Sequence, residues 1–401
     1  MTETAHDDRR ARTNVVRLAL AQALAGANAS VIFATGAITG ATLAPEPALA
    51  TVPISVFVVG MAAGTLPTGA IARRHGRRAA FLIGAGCGAL TGLVAALAIL
   101  GGSFALFCAA TFLGGLYAAV VQSFRFAAAD GASPAFRPRA LSWVMAGGVF
   151  AGVLGPQLVT WTMDVWPAHL FAASYLAQAG VALLAMAVLA GVDLPRPSAG
   201  EIAAGRPLGL ILRQPRFIVA VTCGVVTYTL MNLVMTSAPL AMRMCGLPLS
   251  ASNSAIQWHI VAMYGPSFFT GSLIARFGAS RIVLAGLAVT VAAALVGLSG
   301  LSTTHFSAAL ILLGLGWNFG FVGASAMVLE THRPEERTRV QSFNDFLIFG
   351  AMALGSFSSG QILTAYGWSA VNWIVFPPVA VALVALASSG LLRRRAAVAA
   401  T

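Results

Sequence analysis

The chain alternates between long apolar runs and short polar breaks, and the runs set its architecture. Apolar stretches of roughly 20 residues occupy about 15–40, 48–72, 79–100, 104–128, 140–163 and 168–191. Six more follow at about 217–241, 252–275, 282–301, 305–329, 340–364 and 369–392. Each can cross, as an α-helix, a hydrocarbon core about 30 Å thick. Lipid leaves backbone groups no outside partners, so runs of this length without strict alternation predict helices. The pattern predicts an all-α polytopic membrane protein of twelve transmembrane helices. The one long polar stretch, residues 193–216 with Pro195, Pro197, Glu201 and Pro207, falls midway. It separates a six-helix bundle at 15–192 from a second at 217–392, with tails at 1–14 and 393–401.

Composition narrows the class. At 58% hydrophobic and 9% charged residues, with mean hydropathy +0.85, too little polar surface remains for a water-soluble fold. A net charge of +12 in a soluble chain would point to nucleic acid, but here the charge lies between the apolar runs. Every basic residue is arginine, 24 in all, and with the N-terminus inside only Arg243 falls outside and Arg125 within a run. By the positive-inside rule both termini are expected in the cytoplasm, with the arginines against lipid headgroups. No nucleic-acid partner is expected. Residues 1–13 lack a cleavable signal-peptide pattern. The cysteines, Cys87, Cys108, Cys223 and Cys245, are isolated, so neither a disulfide framework nor a metal site is expected, and no cofactor. The motifs HExxH, GxSxG and GxxxxGK[ST] are absent, which argues against an enzyme and against ATP drive.

Two internal echoes support a chain of two related halves. Thr68-Gly69-Ala-Ile-Ala-Arg-Arg74-His-Gly76-Arg-Arg78 returns as Thr270-Gly271-Ser-Leu-Ile-Ala-Arg276-Phe-Gly278, an offset of 202. Arg137-Pro-Arg139 with Ser142 and Gly155 returns as Arg337-Thr-Arg339 with Ser342 and Gly355, an offset of 200. Repeats at nearly one spacing, in corresponding loops, indicate duplicated bundles. With a basic loop after span 2 and its echo after span 8, the chain resembles the major facilitator superfamily over nearly its whole length. Gly148-x-x-x-Gly152-x-x-Gly155-Pro156 in span 5 resembles that family's antiporter motif; generic small-residue helix packing is the other reading. Three departures stand out: Arg73 replaces the usual loop aspartate, Ala110 the usual arginine of span 4, and Gln157-Leu-Val159 follows the Gly-Pro.

The resemblance implies a central cavity lined by spans 1, 4, 7 and 10. On those spans lie Gln22, Asn28, Tyr117, Gln122, Arg125, Tyr228, Asn232, Trp317 and Asn318. Such amides and aromatics suit a flat, polar, partly aromatic solute, although each alone also serves as a helix–helix hydrogen bond. Arg125 is ionisable at depth, and guanidinium binds carboxylates or carbonyls in two-point fashion. It also has a structural reading as a paired or snorkelling residue. Asp345, with Asn344 and Gln341, forms a polar face at the start of span 11. The resemblance brings the inner ends of spans 4 and 11 together, which makes Arg125–Asp345 a gate. The plainer reading of Asp345 is a carboxylate favoured at a helix N-terminus. His259 titrates near neutrality when unperturbed and is a coupling residue or, more often, a packing element. Gly69, Arg74 and Gly76 of the loop and Gly155-Pro156 of span 5 complete the coupling and gating set. Asp130 and Glu330 precede Arg137 and Arg337 and read as loop ion pairs.

The function expected from these readings is secondary transport of a small neutral or anionic organic solute by alternating access, as a monomer. Proton-coupled export is the first form. Uptake of a small nutrient, such as a flavin-like vitamin or an organic acid, is the alternative.

Overall fold

The computed structural model describes residues 2–46, 49–194 and 205–398, which are helical with no strand among them. Two compact units emerge: Met1–Ala204 with Gln341–Phe346, and Gly205–Val340 with Leu347–Thr401. In the first, α1 spans Thr2–Leu43, α2 Val52–His75, α3 Arg77–Leu100, α4 Phe104–Asp130, α5 Arg137–Thr162 and α6 Ala172–Ala190. α1 packs on α5, α2 on α4, and α3 on α4 and α6. Lipid supplies no hydrophobic drive between helices, so close backbone approach through small residues holds them together. A Cβ on Gly60 would stand 2.4 Å from the Phe112 carbonyl, and one on Gly115 2.1 Å from that of Phe57. Between α1 and α5, a Cβ on Gly147 would meet the Ala19 carbonyl at 2.3 Å and one on Gly155 the Ser30 side chain at 2.4 Å.

The second unit opens with a one-turn helix α7 (Leu208–Leu212), then α8 (Pro215–Met244), α9 (Leu249–Tyr264), α10 (Ser267–Phe277) and α11 (Ala279–Ser299). α12 (Thr303–Trp317) runs into a π-helical turn, Asn318–Val322, and then α13 (Gly323–Leu329). A 3-10 turn, Pro334–Glu336, leads to α14 (Arg337–Trp373), and α15 covers Phe376–Val398. Residues Gln341–Phe346 of α14 belong to the first unit. α12 packs on α9 and α11, and α8 on α13 and α15.

The repeated loops share a backbone device. Gly76 (φ 84°, ψ 160°) and Gly278 (φ 86°, ψ 147°) both break one helix and start the next in a region open essentially only to glycine. The helices one further on, α4 and α12, are also capped alike: Ser103 accepts from the Leu106 N–H and Ser302 from the His305 N–H.

The observed elements depart from the expected spans at four places. Ten helices among the described residues are long and apolar enough to cross a membrane, against twelve runs in the sequence. The eighth run is divided at Gly265-Pro266, because proline has no N–H to continue the helix. The start of α14 carries Gln341, Ser342, Asn344 and Asp345, which lowers its hydropathy, and α14 breaks at Gly367 (φ 78°), between the eleventh and twelfth runs. The residues expected as tails extend helices: α1 starts at Thr2 and α15 ends at Val398. Within the expected 193–216 linker, α7 is helical, and Pro195, Pro197 and Glu201 lie outside the described residues.

Candidate functional site

Each of the cavity candidates, Asn28, Tyr117, Gln122, Arg125, Tyr228, Asn232, Trp317 and Asn318, is buried, as are His259, Asn344 and Asp345. Polar groups withdrawn from water need partners, so the partners decide what each side chain is free to do.

In the first unit the buried charged groups are paired. Arg125, on α4, is fully buried and donates Nη2–H to Asp345 Oδ1 at 2.5 Å. It also donates to the Gln122 carbonyl one turn earlier, and its guanidinium lies 4.3 Å from the Phe126 ring centre. Asn344 donates to the same Asp345 oxygen at 3.0 Å. A second pair joins the loop: Arg77 Nε donates to Asp130 Oδ2 at 2.8 Å and Arg77 also to Gln341, which donates to Asp130 Oδ1 at 3.3 Å. The polar face of α14 is therefore used by two ion-paired clusters. Both neutralise charge that would be costly alone at depth.

Arg77 was not singled out in the sequence, although it stands inside the quoted loop; Arg74, which was, is exposed. Asp130 is held by Arg77, while Arg137, its expected partner, donates Nε–H to the Ala132 carbonyl at 3.2 Å. Gly69 and Gly76 are buried in the α2–α3 corner. Gly155 abuts α1 and Pro156 faces outward, so this part of the antiporter-like motif serves packing within one bundle. Gln178 donates to Asn28 Oδ1, which leaves Asn28 Nδ2 and Gln178 Oε1 without partners, as is Tyr117 Oη.

In the second unit aromatic rings dominate. Trp317 and Phe321 stack at 5.1 Å with 21° between planes. Tyr228 meets Trp317, Phe321 and Phe349 edge-on at 5.5, 4.9 and 5.3 Å. Asn318 is fully committed: Nδ2 donates to the Met263 carbonyl and to Ser267 Oγ, each at 2.6 Å, and Oδ1 accepts from Thr270 Oγ1 at 2.7 Å. His259 Nδ1 lies 2.6 Å from the Leu310 carbonyl, with Nε2 unpartnered. Phe321 and Phe349 were missed because phenylalanines in an apolar run carry no signal of their own.

Away from the helices' interiors, Glu336 accepts from Arg206 Nε and Nη2 at 2.7 Å each and from the Arg333 and Arg206 backbone N–H groups. The Arg206 guanidinium and these N–H groups hold its carboxyl at about 2, below the ordinary carboxylate range. No group of three or more His, Cys, Asp or Glu side chains is arranged to hold a metal among the described residues.

Helical bundles with ion pairs, amides and aromatics buried at depth are those of a multi-pass membrane protein. The sequence profile of the Major Facilitator Superfamily matches residues 18–266 and 249–400, and the chain belongs to that family. It is 48% identical over 379 residues to the riboflavin transporter RfnT of Brucella anthropi, covering 94% of this chain and 95% of that protein. It is 30% identical over 379 residues to the uncharacterized MFS-type transporter YdeG of Bacillus subtilis, covering 89% and 87%. Among solved structures, the proton:xylose symporter XylE superposes with a TM-score of 0.77 at 14% identity, covering 94% of each chain. The human organic anion transporter MFSD10 gives 0.73 at 18%, covering 94% of this chain and 99% of that one. The fold is the family's six-plus-six helix arrangement, and fold and relatives alike are those of transporters, not enzymes.

Proposed function

We propose that this protein carries riboflavin, or a close flavin relative, into the cell across the cytoplasmic membrane. The observation that carries the reading is the 48% identity to a riboflavin transporter over 94% of one chain and 95% of the other. The buried amides and aromatics support it, since a flavin is flat, uncharged and rimmed by carbonyls. The import form is placed ahead of export because the relative of 48% identity is a riboflavin transporter, which fits the nutrient alternative, while Gly155 of the antiporter-like motif packs α5 against α1. In this reading the protein is a monomer with both termini cytoplasmic and its arginine-rich loops against lipid headgroups, as the charge asymmetry argues. A proton gradient is the driving force to test first, and the Arg125–Asp345 pair is its conformational gate.

Proteoliposomes holding the purified chain and loaded with buffer are given labelled riboflavin, with and without an inward-directed proton gradient. Saturable uptake that unlabelled riboflavin competes, and that the gradient accelerates, is the expected result. Uptake equal to that of empty liposomes overturns the flavin reading. Uptake indifferent to the gradient keeps the substrate and removes the proton.

A further inference from the structure

The π-helical turn of the second unit is fixed on three sides. Asn318 is tied to α9 and α10 by its three hydrogen bonds. Gly320 is pressed on one side by Thr227 of α8, where a Cβ would come within 2.6 Å, and a Cβ on Gly286 of α11 would stand 2.4 Å from the Gly320 nitrogen. A π turn adds a residue to a helical turn and is found mostly where function needs it. Here it sets two rings, Trp317 and Phe321, face to face beside Tyr228.

Three polar atoms at the π turn and on the neighbouring α8 are buried without partners: Trp317 Nε1, Asn232 Nδ2 and Thr227 Oγ1, on residues 0%, 4% and 2% exposed. Asn232 lies one helical turn beyond Tyr228, on the same face of α8. Packing alone would favour a phenylalanine and a leucine at these two positions, because an indole or amide N–H without an acceptor is costly to bury. The Trp317 donor is on a ring of the stacked pair and Asn232 is one turn from Tyr228, so both belong to residues next to rings that a planar ring can replace or extend by stacking.

We infer that this aromatic cluster is a recognition subsite for a planar, fused heteroaromatic ring bearing carbonyl acceptors. Trp317 Nε1–H and Asn232 Nδ2–H read the carbonyls, and Trp317, Phe321 and Tyr228 supply the stacking faces. The inference rests on the flavin reading for its ligand, the isoalloxazine ring, but its chemistry is that of the ring system and not of the sugar-alcohol chain. In this structure the rings pack on one another, so a ligand stacks here only by displacing one of them.

The test uses the full-length protein in nanodiscs and follows the fluorescence of riboflavin and of lumichrome, which keeps the fused ring and lacks the ribityl chain. Ribitol is the chain-only control. The wild type is expected to quench both fluorophores on binding, with lumichrome competing against riboflavin and ribitol not. Trp317→Phe keeps a ring and removes the donor, and Asn232→Ser is a second, smaller change should the first variant fail to fold. Each is expected to weaken binding of both ligands tenfold or more, and to raise the KM of uptake with a much smaller effect on kcat. Trp161→Phe, at an exposed position of the other unit, is expected to leave both unchanged. Riboflavin uptake with wild-type Kd and quenching in both cage variants overturns the subsite and leaves flavin import standing. Lumichrome quenching that the cage variants lose, without riboflavin uptake by the wild type, overturns import and keeps the subsite. Binding of neither ligand overturns both.

Discussion

The pair formed by Arg125 and Asp345 allows a quantitative test of whether it acts as a unit. Both residues are buried and their contact is 2.5 Å, so neither charge is hydrated. Removing one partner leaves the other charge buried and uncompensated, at a cost of about 3–5 kcal/mol. At about 1.4 kcal/mol per factor of ten, that is a hundred- to several-thousand-fold loss in the folded equilibrium. Replacing both by apolar side chains of similar size removes the two desolvation penalties together and is often near neutral. Arg125→Met and Asp345→Leu are therefore each expected to lower thermal stability sharply, and the double variant to recover most of the loss. The coupling in that cycle should be about 2 kcal/mol or more, well beyond the few tenths by which independent sites fail to add. Thermal unfolding in detergent, read by size exclusion, measures the cycle; riboflavin uptake is read in parallel, and the double variant should regain part of what the singles lose. Additive losses in the double variant would refute the pairing argument, and recovered stability with no recovered uptake would separate the fold from the gate. Arg125→Lys is not a rescue, because one ammonium replaces a fork that serves both Asp345 and the Gln122 carbonyl.

Three further outcomes follow from other parts of the molecule. Gly76→Ala and Gly278→Ala each force a side chain into a glycine-only region and should cost about 1–3 kcal/mol, measured by the same unfolding assay; neutrality would mean the corner relaxes. Glu336→Gln should be destabilising at neutral pH, with the difference from wild type fading as pH falls from about 4.5 toward about 2. A depressed folded-state carboxyl contributes above its unfolded value and is lost on protonation, so a difference that grows on acidification would refute the assignment. Cys245 is exposed in the turn between α8 and α9, and the positive-inside rule predicts that this turn faces outside. A membrane-impermeant maleimide should label intact cells, and Cys245→Ser should remove that signal; labelling of Cys245 only after lysis would invert the topology.

Much of the fold was legible because lipid enforces it. A run of about 20 apolar residues has few alternatives to a spanning helix. The duplicated loop was legible because Gly76 and Gly278 occupy backbone conformations that other residues resist. Breaks inside runs were harder to see. Gly265-Pro266 sits in an apolar context and interrupts α9 and α10 without any loss of hydropathy. The π turn left no mark at all, since Asn-Phe-Gly-Phe-Val is compatible with an ordinary helix and only its surroundings select the extra residue.

The site residues divide by whether their chemistry is scarce. Arg125 and Asp345 could be named as partners because ionisable groups within spans are few and the family resemblance brings the inner ends of spans 4 and 11 together. Asn318 and Trp317 are neighbours in sequence and looked alike as cavity candidates, yet their environments differ. The Asn318 amide has its hydrogen bonds within the unit, whereas the adjacent indole N–H has none. Interhelical hydrogen bonds within membranes average about 0.6 kcal/mol, so the three at Asn318 contribute about 2 kcal/mol to holding the turn. Asn318 fixes the platform and the residue before it, Trp317, presents an unfilled donor from it. Spacing along a helix cannot make that distinction, because it depends on what α8, α9 and α10 bring to the turn, and it is the reason the second unit carries the recognition argument.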